Sequence, residues 1–375
     1  MITGALSVMV AAGLVMGLIA GFVMHRADYC VAGMFRDIFL FGRLGMMRFL
    51  ILQVVGTMLL FELARLFGLL PLYPFPMLSP PSLANLLAGT LFGLGMVMAG
   101  GCVFGTLYKM GAGSVISAVA FLGLVLGSGL YALIHPWWSD LSRVTTLVAG
   151  HVTLPQLLDI SPTIFVLLLG VPALFLFFRW QRQGLWQRGV VVAGYLQPWK
   201  SAVILALLGL LSYVLIGMPL GATTTFAKVA AMLTEIVAAQ AVADSSFFQA
   251  IALDLRHPFS NARLWGGPGP QVDTILAIQL PIIVGIVLGS TLSALLLREF
   301  NICFKLPPRQ LVGAMAGGLL MGLAARMTPG CNIWHLMGGL PVMAMQSLLF
   351  LLGLFPGAWL GGKIIKTMVR LPART

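Results

Sequence analysis

Four cysteines stand far apart in the chain, Cys30, Cys102, Cys303 and Cys331. None belongs to a C-x-x-C pair and none clusters with histidines, so no metal site and no cofactor are expected. Three of them sit in unusual surroundings. Cys30 lies in HRADYCVAGMFRD, among His25, Arg26, Asp28, Arg36 and Asp37. Cys102 follows Gly100-Gly101 in AGGCVFGTLYKMGAGS, and Cys331 follows Thr328-Pro329-Gly330 in ARMTPGCNIWHLMGG. A cysteine just past such a break falls near the start of the next helical turn. The free amides there carry partial positive charge, which suits an anion and lets an S–H donate to it. Cys303 lies in the basic segment NICFK.

Charged and polar neighbours add to this. Lys109 and Arg326 are the basic residues closest to the two Gly-Cys breaks, Arg26 flanks Cys30, and His335 follows Cys331 by one helical turn. An ionisable group at membrane depth points to function, although a long basic side chain also reaches an interface by snorkelling. Gly100, Gly101 and Gly330 are the breaks that support this arrangement. The Arg and Asp residues around Cys30 read equally well as a salt-bridged cap.

The elements that position these residues must lie in lipid. Of the 375 residues 59% are hydrophobic and only 9% charged, against about 25% charged in soluble chains. The net charge of +12 does not mark a nucleic-acid protein. Its basic residues lie between apolar runs: Arg43 and Arg48; Arg179, Arg182, Arg188 and Lys200; Arg298, Lys305 and Arg309; Lys363, Lys366, Arg370 and Arg374. By the positive-inside rule these segments are cytoplasmic, as is the C-terminus. The loop Pro71–Pro81 and the stretch His135–Ser161 then face outward. Met1–Met24 reads as a first span rather than a signal peptide.

Long spans are expected over Gly4–Met24, Met47–Leu70, Ser114–Ile134, Pro162–Phe178, Ser201–Gly217, Ile275–Leu297 and Pro341–Ile364. Shorter apolar segments occur at Val31–Phe41, Leu86–Ala99, Val103–Met110, Pro219–Leu233, Leu311–Ala325 and Asn332–Gly339, lengths typical of re-entrant helices. Glu235–Asp273 reads as an extramembrane loop. The fold class is an all-α polytopic membrane protein with about nine spanning helices and short re-entrant ones. Glycine and leucine positions before Cys102 recur 229 residues later before Cys331, for example Gly89 with Gly318 and Gly93 with Gly322. Thr223, Thr224 and Thr225 stand where a second copy would place the Cys30 region. Two pseudo-symmetric, inverted repeats over 1–185 and 186–375 are therefore expected, as in transporters built from broken helices.

Only Glu62 among the acidic residues lies inside a confident span, and Arg65, three residues on, can pair with it. Without a relay of carboxylates or a P-loop, neither a proton pump nor an ATPase is indicated. The three cysteine segments resemble the signatures of the YeeE/YedE family of membrane sulfur transporters, over nearly the whole chain. That resemblance implies a bundle of the inner membrane with loops dipping in from both faces. It further implies uptake of thiosulfate or a related small sulfur-containing anion past Cys30, Cys102 and Cys331, without enzymatic turnover. It also implies a TusA-like cytoplasmic sulfur-carrier partner. The third motif departs from the usual pattern by its Thr-Pro before Gly-Cys and by Trp334 beyond it. The alternative is a membrane thiol enzyme or sulfur relay that passes sulfane sulfur, or a selenium species, to a cytoplasmic carrier.

Overall fold

A computed structural model describes residues 4–75, 77–187 and 193–370. Arg188 and Arg374 lie outside the described residues. Hydrocarbon offers no hydrogen bonds, so apolar runs of this length fold as helices that satisfy their own backbones. In chain order these are α1 (Gly4–Arg26), α2 (Val31–Phe41), α3 (Met47–Leu66), α4 (Leu83–Met98), α5 (Val103–Gly111), α6 (Val115–Val144), the single turn α7 (Leu154–Leu157) and α8 (Pro162–Arg182). Then come α9 (Pro198–Ile216), α10 (Thr223–Ala243), a hairpin of β1 (Leu253–Arg256) and β2 (Arg263–Gly266), α11 (Thr274–Leu296), α12 (Pro308–Met327), α13 (Asn332–Trp334) and α14 (Met345–Arg370). The chain is an all-α polytopic membrane protein.

Ten segments among the described residues have the length and hydropathy to span, but contacts between helices reduce the crossings to nine. Ser201, early in α9, donates to the carbonyl of Val23 late in α1, so these two run in opposite directions. Gly13, Gly17 and Gly21 of α1 meet, in the same order, Ile278, Ile282 and Ile286 of α11, so those two run parallel. The end of α9 and the start of α11 therefore lie at one end of the bundle, and α10 between them begins and finishes there. It has the composition of a span and the path of a re-entrant helix, with non-helical dihedrals at Ala238.

The crossings pack through glycines, whose missing side chains let backbones touch. Gly89 and Gly93 of α4 meet Phe350 and Leu354 of α14, while Gly123 and Gly127 of α6 meet Met315 and Leu319 of α12. Both pairs are parallel. Gly95 of α4 and Gly317 of α12 meet where those helices cross. α8 touches mainly α3 and is otherwise exposed; Arg65 of α3 makes a paired contact to Glu62, at 2.6 and 2.9 Å, beside Thr163 of α8.

Several boundaries differ from the sequence expectation. Leu311–Ala325 is part of a 20-residue helix, Pro308–Met327, long enough to cross. Leu86–Ala99 falls on α4 and its C-cap; α4 begins at the far end beside Thr145, and only together with α5, past the Cys102 break, does it have the length of a span. The stretch from His135 continues as α6 to Val144, and Glu235 through Ala243 continues α10, so neither begins a loop. Helices projecting past hydrocarbon keep their hydrogen bonds, and loss of hydropathy does not by itself end them.

In Gly21 a built side-chain carbon would collide with the Ile286 backbone, whereas Gly45 faces open space. Gly21→Val should destabilise the α1–α11 seam by about 1–3 kcal/mol and lower the melting temperature in detergent. Gly45→Ala should leave it unchanged.

Candidate functional site

Each of the three break cysteines occupies the N-cap of a helix: Cys30 of α2, Cys102 of α5 and Cys331 of α13. α13 continues as a π turn over His335–Gly339. All three residues are extended at the cap. Cys102 Sγ accepts from the amide of Gly105 at 3.3 Å. Cys30 and Cys331 make no such side-chain hydrogen bond at their own caps. Two of the breaks are built from glycines with positive φ, 70° at Gly100 and 135° at Gly330, whereas the one before Cys30 has Asp28 at 48°. A side chain at Gly330 would also strike the Trp334 ring, 2.7 Å from its Cδ2.

The breaks converge. A side-chain carbon at Gly105 would lie 3.0 Å from Cys30 Sγ and 3.3 Å from Cys102 Sγ, so both sulfurs sit over this glycine. The two thiols contact each other. Asn332, next to Cys331, faces Cys102 from the other break. Cys30, Cys102, Asn332 and Cys331 thus make a buried series where the breaks meet. Cys102 and Cys331 are fully buried and Cys30 is 5% exposed. Cys303 is exposed and takes no part.

The other expected residues divide. Lys109 Nζ donates to the carbonyl of Gly100 at 2.6 Å. Its cation therefore ends α4, where orphan carbonyls concentrate negative charge, while acting on nearby Cys30. Arg326 donates to Thr224 Oγ1 at 3.2 Å and to Thr223 Oγ1, and its Nε has no partner. With Thr223, Thr224, Gln279 and Gly330 it lines a cavity of about 350 Å³ at the far end, whose wall includes Pro329 and Trp334 on either side of Cys331 in the sequence.

Arg26 lies at the opposite end, donating to Ser293 and to the carbonyl of Gly194 at 3.2 and 2.6 Å. It joins α1 to α11 and to the segment before α9. His335 is not on the series. Its ring nitrogens bond the hydroxyls of Thr328 at 3.2 Å and Ser347 at 2.8 Å, and it stacks on Phe350. Both nitrogens are occupied, and the ring ties the second break to α14. Arg36 pairs with Asp37 at 2.9 Å, as the cap reading of that segment expects.

The model of the sulphur transport family matches residues 26–360. The chain belongs to this family. Thiosulfate transporter TsuA of Spirochaeta thermophila is 29% identical over 377 residues, covering 94% of this chain and 99% of that protein. Thiosulfate transporter TsuA of Escherichia coli K12 is 25% identical over 375 residues, covering 94% of each. The probable transporter YedE of Salmonella typhimurium is 29% identical over 175 residues, 46% of this chain and 41% of that protein. As a member of the sulphur transport family the protein is a multi-pass membrane protein with a transport role, not an enzyme.

Sequence reasoning passed over Lys228, Asn332 and Thr106. Lys228, in the apolar part of α10, is fully buried and pairs with Asp273 at 2.5 Å while donating to the carbonyls of Gly269 and Gln271. Asp273 caps α11 through the amide of Leu276. A lysine in an apolar helix was signal enough; its carboxylate lies 45 residues away on the loop after the hairpin. This pair fixes the start of α10, which presents Thr223 and Thr224 to Arg326.

Removing one partner leaves the other charge buried, at about 3–5 kcal/mol. Lys228→Met should lower the melting temperature sharply, and Lys228→Met with Asp273→Asn should recover much of the loss. Thermal unfolding of the purified variants in detergent checks both.

Proposed function

We propose that the protein takes up thiosulfate, or a closely related small sulfur-containing anion, through the inner membrane along the Cys331–Cys102–Cys30 series. The observation that carries this reading is the placement of three thiols at three helix N-caps that meet inside the bundle. Its relatives named as thiosulfate transporters agree with it. An anion entering the cavity beside Arg326 would meet a guanidinium and two hydroxyls, and then amides and thiols in turn. S–H donors hold a sulfur anion weakly, and passage requires sites favourable enough to enter and weak enough to leave.

On this reading the Arg26 end is cytoplasmic, together with the C-terminus, and the cavity opens outward. α1–α6 and α9–α14 then form two inverted halves, with α8 as the odd crossing that links them. The exchange of partners supports this: α4 packs on α14 as α12 packs on α6, and α1 on α11 as α3 on α9. The linker moves the halves inward from the boundary expected at 185. The basic cytoplasmic face is where a TusA-like carrier would dock. The contact between Cys30 and Cys102 is the observation that favours the alternative, a relay handing on sulfane sulfur.

Proteoliposomes containing the protein should accumulate labelled thiosulfate. Cys102→Ala and Cys331→Ala should each reduce uptake at least about tenfold, the scale of one lost donor to an anion. No uptake by the wild type would refute the reading. A persulfide on Cys30 or Cys102, trapped during turnover and seen by mass spectrometry, would favour the relay instead.

A further inference from the structure

Asn332 is fully buried, yet neither Nδ2 nor Oδ1 makes a hydrogen bond to any group among the described residues. Its amide faces the Cys102 thiol without hydrogen-bond geometry to it. Thr106, one turn after Cys102 on the same helix, is 1% exposed, and its Oγ1 is also unpartnered. The hydroxyl is packed against the Gly100-Gly101 turn, 3.3 Å from where a side-chain carbon at Gly101 would stand. A buried amide left without partners costs about 1–3 kcal/mol, and native proteins rarely leave one so. These three atoms lie beside the Cys102 break without a protein partner among the described residues, and a bound anion would supply one.

We propose that Asn332 and Thr106 form a central oxyanion site, where the carboxamide and hydroxyl bind the oxygen-bearing end of the anion while the Cys102 thiol meets its sulfur. The inference rests on the thiosulfate reading and assigns that substrate's two ends to different donors. Oxygens carry most of a thio-oxyanion's negative charge and accept from N–H and O–H. Its terminal sulfur is a soft, weak acceptor and suits S–H. The site stands at the N-terminus of nine-residue α5, whose amides add to the same field. It makes Asn332 a specificity residue, because an anion without oxygens gains nothing from the amide.

Asn332→Leu and Thr106→Val replace each polar group by an apolar one of similar size. If the amide awaits a substrate, its loss breaks no protein hydrogen bond, and the melting temperature of substrate-free Asn332→Leu should equal or exceed that of the wild type. Thiosulfate uptake into proteoliposomes should fall about ten- to a hundredfold for Asn332→Leu, and detectably for Thr106→Val. Added thiosulfate should raise the melting temperature of the wild type but not of Asn332→Leu. Should Asn332→Leu fail to fold, Thr106→Val carries the test, and wild-type uptake by that variant overturns the proposal. Wild-type uptake by Asn332→Leu, or a loss of uptake matched by a lowered melting temperature, also overturns it. A wild-type protein that carries no thiosulfate overturns the transport reading and this inference together, whereas wild-type transport with an indifferent Asn332 overturns this inference alone.

Discussion

Backbone amides without partners govern the interior of this protein. In hydrocarbon each would cost several kcal/mol, so a helix can break only where other protein groups enclose the ends. The breaks before Cys30, Cys102 and Cys331 meet that condition by meeting one another. Lys109 answers the carbonyl exposed at Gly100, and the Cys102 sulfur accepts from the amide of Gly105 in α5. The glycine-lined seams of α1 with α11, α4 with α14 and α6 with α12 form the wall that makes this interior possible.

The same economy separates residues that hold the breaks from residues free to act. His335 and Lys228 are buried and polar, and their polar atoms are engaged by Thr328, Ser347, Gly269, Gln271 and Asp273. Arg326 Nε, Asn332 and Thr106 are buried with hydrogen-bonding capacity left over. Polar groups that the fold has already satisfied stabilise it, whereas unsatisfied ones along a buried series favour a passing ligand.

Much of this was legible in the sequence. Apolar runs bounded by basic residues give spans, since hydrocarbon thickness dictates length and no alternative conformation satisfies the backbone. The Gly-Cys breaks were visible because glycine and proline interrupt helices for local reasons. Membership of the sulphur transport family agrees with the resemblance carried by the cysteine segments. Boundaries in water were less legible, as at Val144 and Ala243, because a helix past the membrane needs no hydropathy.

What the sequence determined by itself was composition-driven: a helical membrane bundle, where its helices break, and which thiols follow the breaks. Tertiary structure alone decided which polar groups far apart in the chain become partners. Asp273 reaches Lys228 across 45 residues, and Asn332 faces Cys102 across 230. Nothing local encodes such a meeting, because it depends on how parallel helix pairs seat their glycines. The same packing puts both ends of α10 at one face, the re-entrant path that the sequence already suggested for Pro219–Leu233. It also gave His335 and Arg326, alike as candidates in the sequence, different positions: one locked between hydroxyls, the other with a nitrogen still free.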